Sequence, residues 1–225
     1  MTFRSKVKKF RHGFTLFEAV VTIGIFVALT GVVLLRYNSF QGSVLVINAA
    51  YDVALWIREA QVSAISVRPT TVSGSQNYTV GYGIQFDATE ANNKRFIVFA
   101  DIPPAGNTVG DGRYIPTDDQ IVETVKVSSA MQIKRLCARD TNPTPTCFTA
   151  SSSVQEMNIA FRRPDPNAGI RMFLNGISQG IDLGGLYSTA WIEIAPASQP
   201  ESAKTIRVES TGQIAVCKKT YEDCI

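Results

Sequence analysis

The stretch at residues 13–35, GFTLFEAVVTIGIFVALTGVVLL, decides how this chain is built. Its only charged residue is Glu18, and the next charge along the chain is Arg36. About 20 mostly apolar residues are enough for a helix to cross the roughly 30 Å hydrocarbon core of a membrane. The stretch therefore predicts a membrane-spanning helix over residues 14–36, and we expect the chain to contact the membrane through this span.

A basic segment precedes the apolar stretch. Residues 1–13 contain no acid, and their cationic side chains are Arg4, Lys6, Lys8, Lys9 and Arg11. A basic flank of this kind stays on the cytoplasmic side of the membrane. We therefore expect a single-pass protein of the inner (cytoplasmic) membrane, with a cytoplasmic N-terminus and an extracytoplasmic domain after the span.

Glu18 is the costly residue of the span. A carboxylate deep in a membrane helix costs on the order of 2.5–3.5 kcal/mol when it has no partner, and residues 14–35 contain no lysine or arginine. A cut after Gly13 would give Phe14 a new α-amino group, which is a cation four residues from Glu18. That amine can satisfy Glu18 within one chain or between neighbouring chains.

The segment from Gly13 to Glu18, GFTLFE, closely resembles the processing motif of type IV prepilins and type II secretion pseudopilins. The resemblance implies that residues 1–13 are a leader, which prepilin peptidase removes by cutting between Gly13 and Phe14. It also implies N-methylation of Phe14, a role for Glu18 in filament assembly, and other pilin or pseudopilin subunits as partners. Two alternatives are a secretory signal peptide and a plain signal anchor in which Glu18 only complements the helix dipole.

A helical periodicity extends the predicted helix beyond the membrane. Apolar residues recur at steps of three, four and seven positions, at Tyr37, Phe40, Val44, Ile47, Tyr51, Leu55, Val62 and Ile65. Such spacing is typical of one face of a helix, and Pro69 ends it because proline disfavours the helical conformation of Arg68. Residues 37–68 are therefore predicted to be an amphipathic half of the helix that packs against a sheet.

The pattern after Pro69 is that of short strands. Residues 70–77 read as a polar connector, and Tyr82, Ile84 and Phe86 belong to an alternating, half-buried strand. The predicted strands are 78–86, 96–99, 121–127, 131–136, 154–162, 170–174, 187–194, 205–209 and 213–216, with a turn at 210–212. A long helix followed by antiparallel strands is an α+β fold, with residues 69–225 as its β-rich globular domain.

Three segments of this domain extend the resemblance to the H-type pseudopilins and the FimT-like minor pilins. They are YGIQFD at residues 82–87, FIVFAD at 96–101 and IRVESTGQI at 206–214. The resemblance implies a pilin-like fold in which an antiparallel sheet covers the C-terminal half of the helix.

Four cysteines lie in the second half of the chain, at Cys137, Cys147, Cys217 and Cys224. The absence of a Cys-x-x-Cys motif weakens zinc and redox interpretations. An extracytoplasmic compartment permits disulfides, and the shortest loops are closed by Cys137–Cys147 and Cys217–Cys224. The alternative is that the thiols are free and buried.

Composition argues against catalysis. The only histidine is His12, in the leader, so the mature chain has no histidine for catalytic triads or metal sites. No glycine-rich phosphate-binding loop occurs. We therefore expect neither an enzyme nor a cofactor. The tryptophans, Trp56 and Trp191, are expected in the core.

Two further groups of polar residues are candidate binding sites. The loop residues Asp101, Asn107, Asp111, Gly112, Asp118 and Asp119 supply oxygen ligands that calcium prefers. Their spacing differs from an EF-hand and such residues are ordinary in turns, so a solvated loop without metal is the favoured interpretation.

The second group is basic and consists of Arg162, Arg163, Arg171, Arg207, Lys218 and Lys219. Clustered cations bind phosphate, and some FimT-like minor pilins bind DNA. Removal of the leader's five positive charges changes the net charge from +3 to −2, so scattered solvated charges are favoured over DNA binding.

The sequence thus predicts a structural subunit, a minor pilin or pseudopilin of a type IV pilus or a type II secretion filament. The alternatives are a DNA-binding minor pilin for DNA uptake and a membrane-anchored extracytoplasmic protein of another function. The residues do not distinguish a pilus from a secretion system.

Overall fold

The computed structural model describes residues 13–66, 70–72, 75–77, 80–104, 106–107, 109–140, 144–149, 155–179, 186–217 and 224. The chain divides into two compact units, Met1–Gln41 and Gly42–Ile225. The globular unit thus begins inside the predicted amphipathic half of the helix, because residues from Val46 onward are part of its core.

Helix α1 spans Leu16–Ile65, which is 50 residues. Thr15 caps its start, since the Thr15 Oγ1 accepts a hydrogen bond from the Glu18 backbone N–H at 3.2 Å. The segment Leu16–Leu34 is long and apolar enough to cross a membrane, by length and composition. The prediction of an apolar N-terminal helix is therefore confirmed.

The rest of the described chain is mainly strands. Their bounds are β1 Thr70–Val72, β2 Ser75–Asn77, β3 Gly81–Asp87, β4 Arg95–Asp101, β5 Gln120–Lys126, β6 Met131–Arg139, β7 Thr146–Thr149, β8 Gln155–Phe161, β9 Ala168–Leu174, β10 Ile177–Gln179, β11 Thr189–Pro196, β12 Lys204–Glu209 and β13 Ile214–Cys217. All pairings between them are antiparallel. The α+β class is confirmed.

The strands form two main sheets where the sequence predicted one. A six-stranded sheet has the order β10-β9-β8-β3-β4-β5, and a five-stranded sheet has the order β13-β12-β11-β6-β7. Strands β1 and β2 pair as a separate ribbon, in the segment that was expected to be a connector. Strands β7 and β10 were also not predicted, because both are short and β7 carries little apolar pattern.

Strand β3 is buried at every residue from Gly81 to Phe86, although its alternation predicted a half-buried strand. It lies between β8 and β4, in the middle of the six-stranded sheet. Its second face is covered as well, because the Phe99 ring packs directly over Gly83. A Cβ atom added to Gly83 would lie only 2.6 Å from this ring. The Phe99 ring in turn contacts Tyr114 of the β4–β5 loop, with ring centroids 5.6 Å apart.

The helix packs into the core of the globular unit through a face of mainly small residues. The buried helical residues are Val46, Ala49, Ala50, Val53, Ile57, Ala60 and Ala64, which join residues of both main sheets in one cluster. The predicted apolar face is mostly outside. Val44, Tyr51, Leu55, Val62 and Ile65 are all exposed, so the prediction that they pack against a sheet is wrong. Alanines allow the strands to approach the helix more closely than these larger side chains would.

One buried polar residue joins the helix to two distant turns. Gln61 is 2% exposed, and its Nε2 donates to Pro166 O at 2.8 Å and to Gly212 O at 3.0 Å. Gly212 has a φ of +84° in the predicted turn between β12 and β13, and a Cβ on it would overlap Pro166 O. The helix, the β8–β9 loop and the β12–β13 turn are therefore held by one side chain.

Candidate functional site

The predicted cleavage site lies just before the helix. Gly13, Phe14 and Thr15 have no regular secondary structure, and the helix begins at Leu16. Gly13 is exposed and Phe14 is 76% exposed. Both residues of the predicted cleavage site are thus exposed, while residues 1–12 of the predicted leader lie outside the described residues.

Glu18 is exposed in the first turn of the helix. The spacing from Thr15 to Glu18 is that of a capping box, in which a Thr at the cap and a Glu three positions later satisfy the first backbone N–H groups. A carboxylate at this position also interacts favourably with the helix dipole. Pairing of Glu18 with a Phe14 amine stays a prediction beside these local roles.

The apolar segment Leu16–Leu34 is uncovered in the monomer. Every residue of this segment except Ala19 is exposed, and Phe17 and Phe26 are 77% and 71% exposed. Soluble monomers rarely expose contiguous apolar patches larger than a few hundred Å². The segment thus has the length, composition and exposure of a membrane anchor or a signal sequence.

The globular unit carries a second uncovered apolar feature, which we call the outer stripe. It consists of Val44, Tyr51, Leu55, Val62 and Ile65, which are 39–66% exposed. Their steps of seven, four, seven and three residues match the 3.5-residue repeat of helices that pack side by side. Clefts of about 430 and 440 Å³ lie on either side of Leu55, one towards Trp56 and Phe96 and the other towards Ile214 and Val216.

The cysteines form two disulfides that pack together. The structure joins Cys137 to Cys147 across β6 and β7, and Cys217 to Cys224 beyond β13. These are the local pairs that the sequence favours. Trp191, 1% exposed, packs with Cys137, Cys217 and Cys224 in a small cluster. Trp191 is thus buried as expected, and Trp56 is partly buried against the main core.

Three of the loop aspartates meet. Asp101 ends β4, Asp111 lies in the following loop and Asp119 precedes β5, yet one carboxylate oxygen from each lies within 4.8 Å of the others. Asn107 and Asp118 are exposed and outside this group, which we call the aspartate cluster.

The loop itself holds the aspartate cluster in place. Asp119 accepts hydrogen bonds from the backbone N–H groups of Ile102, at 2.9 Å, and Ile115, at 2.7 Å. Tyr114 N donates to Asn158 Oδ1 at 3.1 Å and fixes the loop to β8. Burial raises the pKa of Asp101, against the opposing charge of Arg162, and raises the pKa of Asp119 to about 6. Asn158 was not singled out in the sequence, because nothing local marks its partner 44 residues away.

Half of the predicted basic group gathers at one cavity. Arg162, Arg163 and Arg171 line a cavity of about 230 Å³ together with Asp165 and Asn167. Arg162 Nη2 lies 3.1 Å from Asp101 Oδ2, and burial together with the charge of Arg162 lowers the pKa of Arg171. The cavity therefore combines anion-binding side chains with a direct link to the aspartate cluster.

Arg207 does not line this cavity. Arg207 lies on β12 of the five-stranded sheet, where it donates to Cys224 O at 2.9 Å and pairs with Glu209. Lys218 and Lys219 lie outside the described residues. Of the four basic residues that the structure describes, three therefore line one cavity and Arg207 lies on the other main sheet.

In comparisons with known proteins, the chain matches no family model, no curated protein and no solved structure.

Proposed function

We propose that this chain is a structural subunit, a minor pilin or pseudopilin, of a type IV pilus or a type II secretion filament. The observation that carries the proposal is the helix, which has uncovered apolar surface in both units. Leu16–Leu34 is exposed in the first unit and the outer stripe is exposed in the second. A membrane can cover the first segment, but the outer stripe has the spacing that a partner helix fits.

The start of the chain supports the same proposal. Prepilin peptidase would cut the exposed Gly13–Phe14 bond and methylate Phe14, and Glu18 would then guide the subunit into the filament. The globular unit would lie outside the cytoplasmic membrane, where its two disulfides persist. In this proposal the subunit catalyses no reaction, and its role is to make packing contacts with neighbouring subunits of the filament.

The first test is processing. The chain is expressed in a host with its own prepilin peptidase, extracted from membranes and weighed intact. We expect loss of residues 1–13 and gain of one methyl group, and we expect Gly13→Leu to retain the leader because the side chain blocks the peptidase site. A wild-type chain that keeps Met1 in this host would contradict the proposal.

The second test separates the roles of Glu18. If pairing with a neighbour's Phe14 amine guides assembly, Glu18→Gln is inserted and cleaved normally but is depleted in sheared filaments relative to the membrane pool. Thr15→Ala is the matched control, because it removes only the cap and costs about 0.5–2 kcal/mol of helix stability. Equal incorporation of both variants would reduce Glu18 to a capping residue.

A DNA-binding minor pilin is the second candidate, and the cavity lined by Arg162, Arg163 and Arg171 is the observation that favours it. Gel shifts with the full chain at low salt test it, with Arg163→Glu as the variant. Phosphate binding requires that the shift weakens with salt and with this substitution. A gel shift that is unchanged both by added salt and by Arg163→Glu would contradict DNA binding at this cavity.

A further inference from the structure

We propose that the aspartate cluster, Asp101, Asp111 and Asp119, binds a calcium ion. One carboxylate oxygen from each residue lies within 4.8 Å of the other two. Calcium–oxygen distances of 2.3–2.6 Å allow ligands of one ion to stand up to roughly 4.6–5.2 Å apart, so all three oxygens can touch the same ion. The cluster offers carboxylate oxygen alone, which suits calcium better than a transition metal.

Asp101 supplies an independent reason to place a cation there. Its side chain is 1% exposed, and its Oδ2 accepts from Gly112 N at 3.1 Å and from Arg162 Nη2 at 3.1 Å. Its other oxygen, Oδ1, is buried and receives no hydrogen bond from any described residue. A buried polar atom without a partner is costly, and a cation in the cluster would remove that cost.

The Asp101 carboxylate packs directly against the loop that carries Asp111. A Cβ on Gly110 would lie 2.1 Å from Oδ1 and 2.5 Å from Oδ2 of Asp101. Glycine at position 110 allows this close approach of the loop to the carboxylate. The carboxylate with the orphaned oxygen therefore lies beside the residue that precedes Asp111.

The local charges leave room for a cation. The three carboxylates are balanced by two nearby arginines, since Arg162 pairs with Asp101 and Arg171 interacts with Asp101 and Asp111. Arg113, the next residue after Gly112, is instead directed to Glu156 at 3.3 Å and to the ring of Phe173. The acids thus exceed the facing arginines by one, and a divalent cation would meet net negative charge.

The loop also has the rigidity that a metal site needs. Backbone N–H groups at both ends of the loop hold the Asp119 carboxylate, and each of its oxygens keeps a free lone pair for a metal. Calcium takes six to eight oxygen ligands in all. Loop carbonyl oxygens and water would complete the shell around the three carboxylates.

Terbium luminescence tests the site on the full chain in detergent after treatment with a chelator. Tyr114, in the same loop, acts as the sensitiser for terbium, a common probe of calcium sites. We expect terbium to bind, calcium to displace it, and magnesium at the same concentration to displace much less. Asp111→Asn and Asp119→Asn should each weaken calcium binding by about tenfold or more, because site affinity follows ligand charge.

Asp118→Asn is the matched control. Asp118 is exposed, directly precedes Asp119 and lies outside the cluster, so the variant removes the same charge from the same loop. We expect it to bind calcium as the wild type does. An equal loss in Asp118→Asn would mean diffuse attraction to surface acids and would overturn the site, as would a wild-type chain that binds no calcium at millimolar concentration. If Asp119→Asn does not fold, Asp111→Asn decides the matter, because the hydrogen bond that Asp111 accepts, from Arg113 N, lies within the same turn of the loop.

Discussion

The inner face of the helix in the globular unit carries smaller side chains than the outer stripe does. The inner face is mainly alanine with Val53 and Ile57, and it is buried against both main sheets. The outer stripe is made of larger apolar residues and is exposed. By hydrophobicity alone the outer stripe would be the better core face. The difference indicates that the sheets select the face that fits closely.

The largest expected effect comes from removing equal bulk on the two faces. Ile57→Ala should lower the free energy of unfolding by about 2–5 kcal/mol, because it opens a cavity at a fully buried position. Leu55→Ala, two residues away and 66% exposed, should change it by less than about 0.5 kcal/mol. Urea unfolding of the full chain in detergent, followed by near-ultraviolet circular dichroism of the globular unit, measures both. Equal losses would mean that the outer stripe is also core.

A smaller effect is expected from the amides on the two faces. Gln61→Leu should cost about 1–3 kcal/mol, because it leaves Pro166 O and Gly212 O without their donor. Asn48→Leu, at an exposed amide of the outer face, should be within about 0.5 kcal/mol of the wild type. The same unfolding experiment tests the pair. A neutral Gln61→Leu would show that the helix is held by apolar packing alone.

The same contrast between buried and exposed positions recurs in the loop aspartates. The pKa of Asp119 is raised from 3.8 to about 6 by burial, so the folded chain binds its proton more readily than the unfolded chain does. In the presence of chelator, stability should therefore fall as the pH rises from about 4 to about 6. The effect is modest because Asp119 is only half-buried and solvent screens it.

Paired variants isolate this contribution. Asp119→Asn should reduce the pH slope between about 4 and 6, whereas Asp118→Asn should leave it intact. Thermal unfolding at a series of pH values, each with chelator, gives the slope. An unchanged slope in Asp119→Asn would mean that the pH dependence of stability comes from another group, such as Asp101.

The smallest effect on stability is expected where the proposed function predicts a large effect on assembly. Leu55→Asp places a charge in the outer stripe, and Ser43→Asp places one at an exposed helical position outside it. Both variants should unfold within about 0.5 kcal/mol of the wild type. Only Leu55→Asp should be depleted in sheared filaments relative to the membrane pool, because it puts an unpaired charge between packed helices. Normal incorporation of Leu55→Asp would mean that the outer stripe does not take part in filament assembly.

Much of the fold was predictable because it depends on local pattern. All nine predicted strands overlap observed strands, namely β3, β4, β5, β6, β8, β9, β11, β12 and β13. They were predictable because alternation and turn residues are recognised within a few positions of the sequence. Strands β7 and β10 were missed because their pairing with β6 and β9 stabilises them, and their own composition does not. The candidate sites were predictable as residue types but not as groups. The sequence offered Asp101, Asp111 and Asp119 in a longer set of loop residues, and only the folded loop separates them from Asp118.

The sequence by itself determined the apolar span of the helix, the α+β class and the short spacing of the cysteines that the structure joins. These properties follow from hydrophobicity, periodicity and distance along the chain. Only the tertiary structure decided which helix face is inside, because that choice depends on how closely two sheets approach the alanines. It also decided that Gln61 meets Gly212, 151 residues away, and that the three aspartates share one place. Such contacts join segments distant in sequence, and no local pattern records them.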